Sequence, residues 1–471
     1  MAEPKNGLYL TNADFPQWQD DISNYINSYS YKMNSNCKGC NESSCHNCNE
    51  ASYISGIKAK NITFVVTEKC NLNCSYCYEM HKTGIRMTKE IAKEAVDFIF
   101  DENKVNGYYD KETSPAVIIE FIGGEPFLEV DLIDYISEYF KKKAFELNHP
   151  WAVNYMFSLT TNGTLYKTEK VQKYLKRNPG KVSVGITIDG NKELHDSCRV
   201  FHDGSGSYDI VEESVKLWIQ NESNPQTKIT LSPTNVGFLN DAIKNVKELG
   251  INGAFTNCVF EEGWTIDHAK ILYSEMIKLA DYLLNDETYK NFFCSLFDES
   301  IGEVNTSDNN WCGGDGQMLA IGPDGRCFPC IRFMKYALGE PGRKEQPIGD
   351  IWNGLDNKED NKWLKKLTEI TATSQCQYED NKKCLDCEIA TGCALCTGYN
   401  YDKFGTPNHK ATFICDMHKA RVLANTYFWN KLYKKLNIDN KCIFNLNIRK
   451  ELALEILTEK EYNELIELTK R

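Results

Sequence analysis

The run Cys70-Asn71-Leu72-Asn73-Cys74-Ser75-Tyr76-Cys77 sets three thiols at a C-x3-C-x2-C spacing, directly after a strand-like stretch at Ile62 to Thr67. Three thiolates so close on one loop wrap three irons of a cubane and leave the fourth iron without a protein ligand. An open iron invites a chelating substrate. A structural zinc ion would want a fourth ligand, and the following Tyr78-Glu79-Met80 supplies no obvious one.

Outward from this loop, short β-rich runs alternate with amphipathic stretches of helix length, the pattern of βαβ units on a parallel sheet. Strands are predicted at Ile62 to Thr67, Val117 to Gly123, Tyr155 to Thr161, Val182 to Asp189, Lys228 to Ser232 and Ala254 to Phe260. Helices are predicted over 88–103, 130–147, 167–176, 208–220, 239–249 and 265–285. Six β/α repeats make the fold class α/β, an open, partial (β/α)6 TIM-like barrel over residues 60–290. Past about residue 290 the text turns to Gly, Pro and Cys punctuation with short strands such as Met318 to Gly322. That change predicts a second, metal-organised domain over 291–430, with 431–471 as a helical tail. Residues 1–59 are polar, rich in Asn and Ser, and read as an appended N-terminal extension.

At 471 residues the chain is long enough for a large core and two or three units. Its 54 basic and 66 acidic residues leave a net charge of −12, without the basic footprint of a nucleic-acid binder. The opening Met1-Ala2-Glu3-Pro4-Lys5-Asn6 lacks the features of a signal peptide, and no apolar run approaches ~18 residues. A cytoplasmic chain with no membrane partner is expected. Twenty cysteines are too sparse for a disulfide scaffold, and a cytosolic chain keeps its thiols reduced. Clustered cysteines therefore read as metal ligands, whereas the isolated Cys198, Cys258, Cys294 and Cys442 read as small buried hydrophobes.

With Tyr76 in the aromatic place, the cysteine run resembles the C-x3-C-x-aromatic-C motif of the radical S-adenosylmethionine (radical SAM) superfamily. Cys70, Cys74 and Cys77 would then hold the catalytic 4Fe–4S cluster. Gly123-Gly124-Glu125-Pro126, at the end of the second strand, is similar to the family turn that holds the methionine amino group. There the glycines let backbone approach a ligand, and Glu125 would add a carboxylate to the ammonium. Thr161-Asn162-Gly163, Thr187-Ile188-Asp189-Gly190 and His195-Asp196-x-x-Arg199 also resemble family segments around the cofactor, with Gly250-Ile251-Asn252-Gly253 near the adenine. The fork of Arg199 suits the methionine carboxylate, an ordinary surface salt bridge being the alternative. The cofactor-binding residues so implied are Tyr76, Gly123, Gly124, Glu125, Pro126, Asn162, Thr187 and Arg199.

Cys312, Gly325-x4-Cys330, Cys384-x2-Cys387-x5-Cys393-x2-Cys396 and Cys415 are similar to the seven-cysteine pattern of SPASM domains, C-terminal extensions of peptide- and protein-modifying radical enzymes. The resemblance implies two auxiliary 4Fe–4S clusters, one on Cys384, Cys387, Cys393 and Cys415, the other on Cys312, Cys330 and Cys396. Two departures stand out. Two residues separate Cys393 from Cys396 where the family usually has three, and no cysteine shortly precedes Cys312. Either Cys294 reaches in as a fourth ligand or one iron stays open. Cys327 also fits a Gly-x4-Cys spacing counted from Gly322, but Pro329-Cys330 matches the family better and leaves Cys327 to pack. Cys376 has no assignment, and zinc ribbons are the competing reading of the whole C-terminal set. Cys37-x2-Cys40-x4-Cys45-x2-Cys48 supplies four thiolates, enough for a tetrahedral zinc knuckle; a further iron–sulfur cluster and no metal at all are the alternatives.

Phe121 to Glu129, Asn148 to Trp151, Cys330 to Met334 and Met417 to Arg421 resemble radical maturases of ribosomally made precursor peptides with Cys-x-x-x repeats. That resemblance implies a Cys-containing peptide substrate and a 5′-deoxyadenosyl radical that opens the way to thioether links from cysteine sulfur to carbon. It also implies a low-potential flavodoxin or ferredoxin as electron donor. A sulfatase-maturase-like, formylglycine-forming oxidase is the nearest alternative, yet that family carries an acid directly after the Pro-Cys cysteine, where Ile331 stands here. A non-catalytic iron–sulfur electron carrier is the other, and Gly123 to Pro126 speaks against it.

Overall fold

A computed structural model describes residues 59–222, 224–260, 263–285, 287–302, 314, 318–357, 360–370, 387–437 and 444–470. β1 (Lys60–Thr67), β2 (Val117–Gly123), β3 (Tyr155–Thr161) and β4 (Val182–Ile186) lie side by side and parallel, each strand pair bridged by a helix. β2 shows how the wall is made: Val117, Ile119 and Phe121 are buried under the helices, while Ile118, Glu120 and Ile122 alternate toward the barrel interior. Helix α1 (Lys89–Ile99) and helix α2 (Val130–Glu146) cover this face. Ile133, Ile136, Phe140 and Ala144 line one side of α2 at helical spacing and are fully buried. Phe140 meets Phe157 of β3 edge-on at 5.8 Å.

The next three strands, β5 (Gln226–Leu231), β6 (Gly253–Cys258) and β7 (Phe293–Cys294), form a second parallel sheet. Between β4 and β5 the ladder shrinks to one bridge, Thr187 to Lys228, so the barrel wall is nearly split there. β4 ends earlier than expected because Ile188 leaves the ladder, its N–H donating to the Thr227 hydroxyl at 3.2 Å. Helix α3 (Glu169–Arg177), helix α4 (Lys192–Cys198) and helix α5 (Tyr208–Asn221) follow β3 and β4, then helix α6 (Leu239–Glu248) and helix α7 (Ile266–Asn285). α4 went unpredicted: it is short, and starts where Asn191 accepts the Leu194 N–H.

The second domain is not a separate body. β8 (Met318–Ile321) pairs in parallel with β1, and β9 (Arg326–Phe328), β10 (Gly349–Asp350) and β11 (Gly354–Leu355) extend the same sheet antiparallel to eight strands. Phe328, Phe333, Met334 and Tyr336 build a joint core with Val65 of the first strand. Helix α8 (Thr397–Phe404) precedes the long helix α9 (Cys415–Leu436), which packs along α7 and runs unbroken through residue 430, so no structural division falls there. Helix α10 (Glu459–Thr469) closes the tail with a capping box of Thr458 and Glu461. No helix among the described residues is long and apolar enough to cross a membrane.

Candidate active site

The loop carrying Cys70, Cys74 and Cys77 sits on the C-terminal end of the strands and is held from three sides. From β2, the Gly124 and Glu125 N–H groups donate to Thr67 O (3.1 Å) and Lys69 O (2.8 Å). Only glycine fits that approach: a Cβ on Gly123 would lie 2.2 Å from Thr67 O, and one on Gly124 2.4 Å from Lys69 O and 2.8 Å from Cys70 Cβ. From β3, Asn162 Nδ2 donates to Asn71 Oδ1 at 2.9 Å and approaches Cys70 Sγ at 3.9 Å, while Asn71 Nδ2 donates to the Thr164 hydroxyl at 2.8 Å. On the third side, the segment after α4 straps the loop by backbone bonds from Asn73 N to Val200 O (2.7 Å) and from Ser75 N to Cys198 O (3.0 Å).

Glu125 is fully buried in this frame. Its carboxylate accepts from Phe127 N (3.0 Å), the Thr161 hydroxyl (2.7 Å) and Asn162 N (2.8 Å), so it ties the turn to the end of β3 instead of standing open to an ammonium group. Burial pushes its carboxyl above the usual range, against those three donors. Pro126 opens the single 3-10 turn Pro126–Glu129 that follows. Thr187 is buried, its N–H donating to Thr161 O at 3.0 Å.

Arg199 lies under the loop, buried, with Nη1 donating to the Tyr76 hydroxyl at 3.1 Å and 3.8 Å from Cys74 Sγ. Asp189 accepts the Tyr76 hydroxyl and the Thr230 N–H (3.1 Å), and lies 3.8 Å from Arg199 Nε. His195 orders the same corner: Nδ1 accepts the Asp189 N–H at 3.2 Å, and Nε2 pairs with the Ser207 hydroxyl at 3.0 Å. Burial and the Arg199 charge hold its imidazole down to about 2, so it is neutral. On the other flank, Lys82 Nζ donates to Cys77 Sγ at 3.1 Å and lies 3.8 Å from Glu79, whose carboxyl burial pushes up to about 7. Asn71, Thr164, Asp189 and Lys82 are site residues that the spacing of the motifs does not assign. Only Asp189, in the Thr187 to Gly190 segment, carried a sequence signal.

The donor set, three cysteine sulfurs on one loop, is of the chemical kind the motif calls for, although among the described residues no three His, Cys, Asp or Glu side chains are arranged to hold a metal ion. Burial pushes the Cys70 thiol up to about 12 and raises Cys74 as well, so both stay protonated unless a metal takes the proton's place. The Nε of Arg199 is buried and makes no hydrogen bond, its nearest anion being the Asp189 carboxylate at 3.8 Å, so it keeps a donor free beside the cysteine loop.

On the second domain, the segments that carry Cys330 and Cys396 are neighbours: Gly398, in the first turn of α8, lies against Arg332, and a Cβ there would be 2.4 Å from Arg332 Cβ. Cys393 accepts from Lys410 Nζ at 2.8 Å and lies with Cys258, Cys294 and Asp298 around the buried Arg421 of α9, the helix that Cys415 opens. Cys294 and Cys393 both act on Arg421, and Cys393 belongs to the other expected ligand set than Cys330 and Cys396. Cys387 is half-buried, and Cys327 is wholly buried in the sheet. Cys37, Cys40, Cys45, Cys48, Cys312 and Cys384 lie outside the described residues. Tyr78 joins the two sites: the Arg332 guanidinium lies 4.4 Å over its ring, and both Cys77 and Cys330 act on its hydroxyl.

Residues 64–234 match the radical SAM superfamily model, and residues 312–388 match the SPASM iron–sulfur cluster-binding domain. The chain is similar to the radical SAM cyclopropyl synthase TigE of Paramaledivibacter caminithermalis, 24% identical over 390 residues, 78% of this chain and 74% of that protein. It is similar to the antilisterial bacteriocin subtilosin biosynthesis protein AlbA of Bacillus subtilis, 26% identical over 370 residues, 77% of this chain and 71% of AlbA. A serine-type anaerobic sulfatase-maturating enzyme of Bacteroides thetaiotaomicron is 27% identical over 242 residues, 50% of this chain and 55% of that enzyme. Among solved structures, anSMEcpe with bound AdoMet superposes with a TM-score of 0.59 at 18% identity, covering 86% of this chain and 99% of that one. Streptococcus suis SuiB bound to precursor peptide SuiA gives 0.50 at 14%, covering 75% of each. Residues 64–234 are therefore a radical SAM domain and residues 312–388 a SPASM domain, and S-adenosylmethionine and iron–sulfur clusters are the cofactors those domains imply.

Proposed function

We propose that the chain matures a ribosomally made, Cys-containing precursor peptide by forming thioether links from cysteine sulfur to carbon. The similarity to AlbA, a bacteriocin biosynthesis protein, over most of both chains carries this reading. Ile331 directly after Cys330 supports it against formylglycine formation, since an alkyl side chain cannot act as the base that reaction is expected to use. Cys70, Cys74 and Cys77 would hold the radical cluster and Arg199 an anionic end of S-adenosylmethionine, with Gly123 and Gly124 letting the backbone close on it. When bound, cluster and cofactor supply a radical that takes a hydrogen atom from the peptide. Cys330 and Cys396 with Cys312, and Cys387, Cys393 and Cys415 with Cys384, would hold two auxiliary clusters. A net two-electron oxidation needs such an acceptor besides the radical centre. A low-potential flavodoxin or ferredoxin would recharge the system.

What the chain's own residues do is orientation. Asp189, Arg199 and His195 fix Tyr76 and the cysteine loop, and Glu125 fixes the glycine turn against it. The test is a reconstituted reaction with a synthetic peptide of Cys-x-x-x repeats. Each link should remove two hydrogen atoms and one alkylatable thiol, with 5′-deoxyadenosine formed alongside. A product that instead reacts with a hydrazide, as an aldehyde does, would turn the reading to formylglycine formation.

A further inference from the structure

The barrel interior holds a cation that the cysteine loop does not use. Lys228 is the third residue of β5 and alternates with Thr227 and Ile229, which are buried under the helices. Its side chain is therefore on the inner face, exposed to the open interior. Four charged groups act on it there: Arg332 from the turn after Cys330, Arg199 after α4, Asp189, and Glu120 from the inner face of β2. Both carboxylates are already engaged. Asp189 serves Tyr76 and the Thr230 N–H, and Glu120 accepts the Thr63 hydroxyl at 2.8 Å. The Lys228 ammonium has neither hydrogen bond nor ion pair among the described residues.

Lys228 shares the interior with two arginines and with two carboxylates whose oxygens already accept hydrogen bonds, so neither carboxylate is given over to it. Although its side chain is exposed to the interior, the protein lining that space and the two arginines drive the Lys228 ammonium below the usual lysine range. A part-desolvated ammonium without a partner is costly, and a carboxylate brought to it forms a charge-assisted hydrogen bond that offsets the cost. Arg199 is taken up with the cysteine loop, which leaves Lys228, flanked by Arg332, for the other occupant of the barrel. Phe255, its register partner on β6, packs against Phe293 at 5.2 Å and offers an exposed apolar surface beside it.

We propose that Lys228 is a substrate-positioning residue that takes an acidic side chain of the peptide in the barrel interior. This rests on the reading of the chain as a peptide maturase and names a feature of its substrate. An acidic peptide meets long-range repulsion from the molecule as a whole, so the preference is local to the barrel and visible at high salt, where long-range terms are screened.

The test uses the reconstituted full chain with S-adenosylmethionine and two dye-labelled synthetic peptides, one of Cys-Ala-Gly-Glu repeats and one of Cys-Ala-Gly-Gln repeats. Fluorescence anisotropy should show the Glu peptide binding about tenfold tighter. Lys228→Met should erase the difference and Lys228→Arg should keep it. A second readout needs no variant: the Glu peptide, and not the Gln peptide, should protect Lys228 of the native protein from reductive methylation, scored by peptide mass mapping. Equal binding of the two peptides by the native protein, or an unchanged preference in Lys228→Met, overturns the proposal. If acid-dependent binding and protection hold but no thiol is lost, the thioether reading fails and the Lys228 site stands. If links form equally well in both peptides at equal affinity, the site fails and the thioether reading stands.

Discussion

Lys82 puts a donor 3.1 Å from Cys77 Sγ, and hydrogen bonds to the sulfurs of an iron–sulfur site favour its reduced, more negative state. Lys82→Met should therefore move the radical cluster to a more negative potential, by about 60 mV if the contact is worth one tenfold step in a one-electron couple. Redox titration followed by electron paramagnetic resonance reads this directly; an unmoved midpoint would take Lys82 out of the cluster's surroundings. His195 acts through its neutrality. Its folded pKa of about 2 lies below the value near 6.5 of an unfolded histidine, so below pH ~6.5 the unfolded chain binds a proton that the folded chain refuses. Its contribution to stability is complete above that pH and is lost as pH falls, by up to ~1.4 kcal/mol per pH unit. Denaturant midpoints at pH 7 and 5.5 should differ less in His195→Gln than in the native protein, and parallel pH profiles would contradict the assignment.

At the scale of elements, a buried amide adds to the packing that joins the C-terminal helix to the barrel. Asn425 of α9 is fully buried; Oδ1 accepts the Asp298 N–H at 2.8 Å and Nδ2 donates to Leu296 O at 2.8 Å. Beside it Phe428 stacks on Phe297 at 4.3 Å. Asn425→Ala strands a buried donor and a buried acceptor at once, a loss of roughly 2–6 kcal/mol at ~1–3 kcal/mol for each group. Thermal unfolding should shift down accordingly, and a change within experimental error would mean that water replaces the amide. Because α9 also carries Arg421 and begins at Cys415, the variant should loosen the auxiliary site before the radical site.

For the whole molecule, the two cysteine regions share one sheet, since β8 of the second domain pairs with β1, the strand that leads into the cysteine loop. Their metal contents should nonetheless be separable. Cys70, Cys74 and Cys77 changed together to Ala should abolish 5′-deoxyadenosine formation while most auxiliary iron remains, because only one loop loses its ligands. Retained deoxyadenosine production by the purified triple variant would refute the central assignment.

Much of this was legible in the chain. The C-x3-C-x2-C run, the Gly-Gly-Glu-Pro turn and the period-2 strands with helix-length intervals depend on local spacing, which survives in a string of letters; β2 and β3 match their predicted bounds, and the other barrel strands differ by a few residues. What spacing cannot carry is which distant groups meet. The strap of residues 198–202 on the cysteine loop, Glu125 spent on the end of β3, and β8 beside β1 were decided only by tertiary structure. So was the unpartnered ammonium of Lys228 in the barrel. Each arises where buried polar groups must find partners, or fail to, among chain segments far apart in sequence, and that accounting is settled by packing.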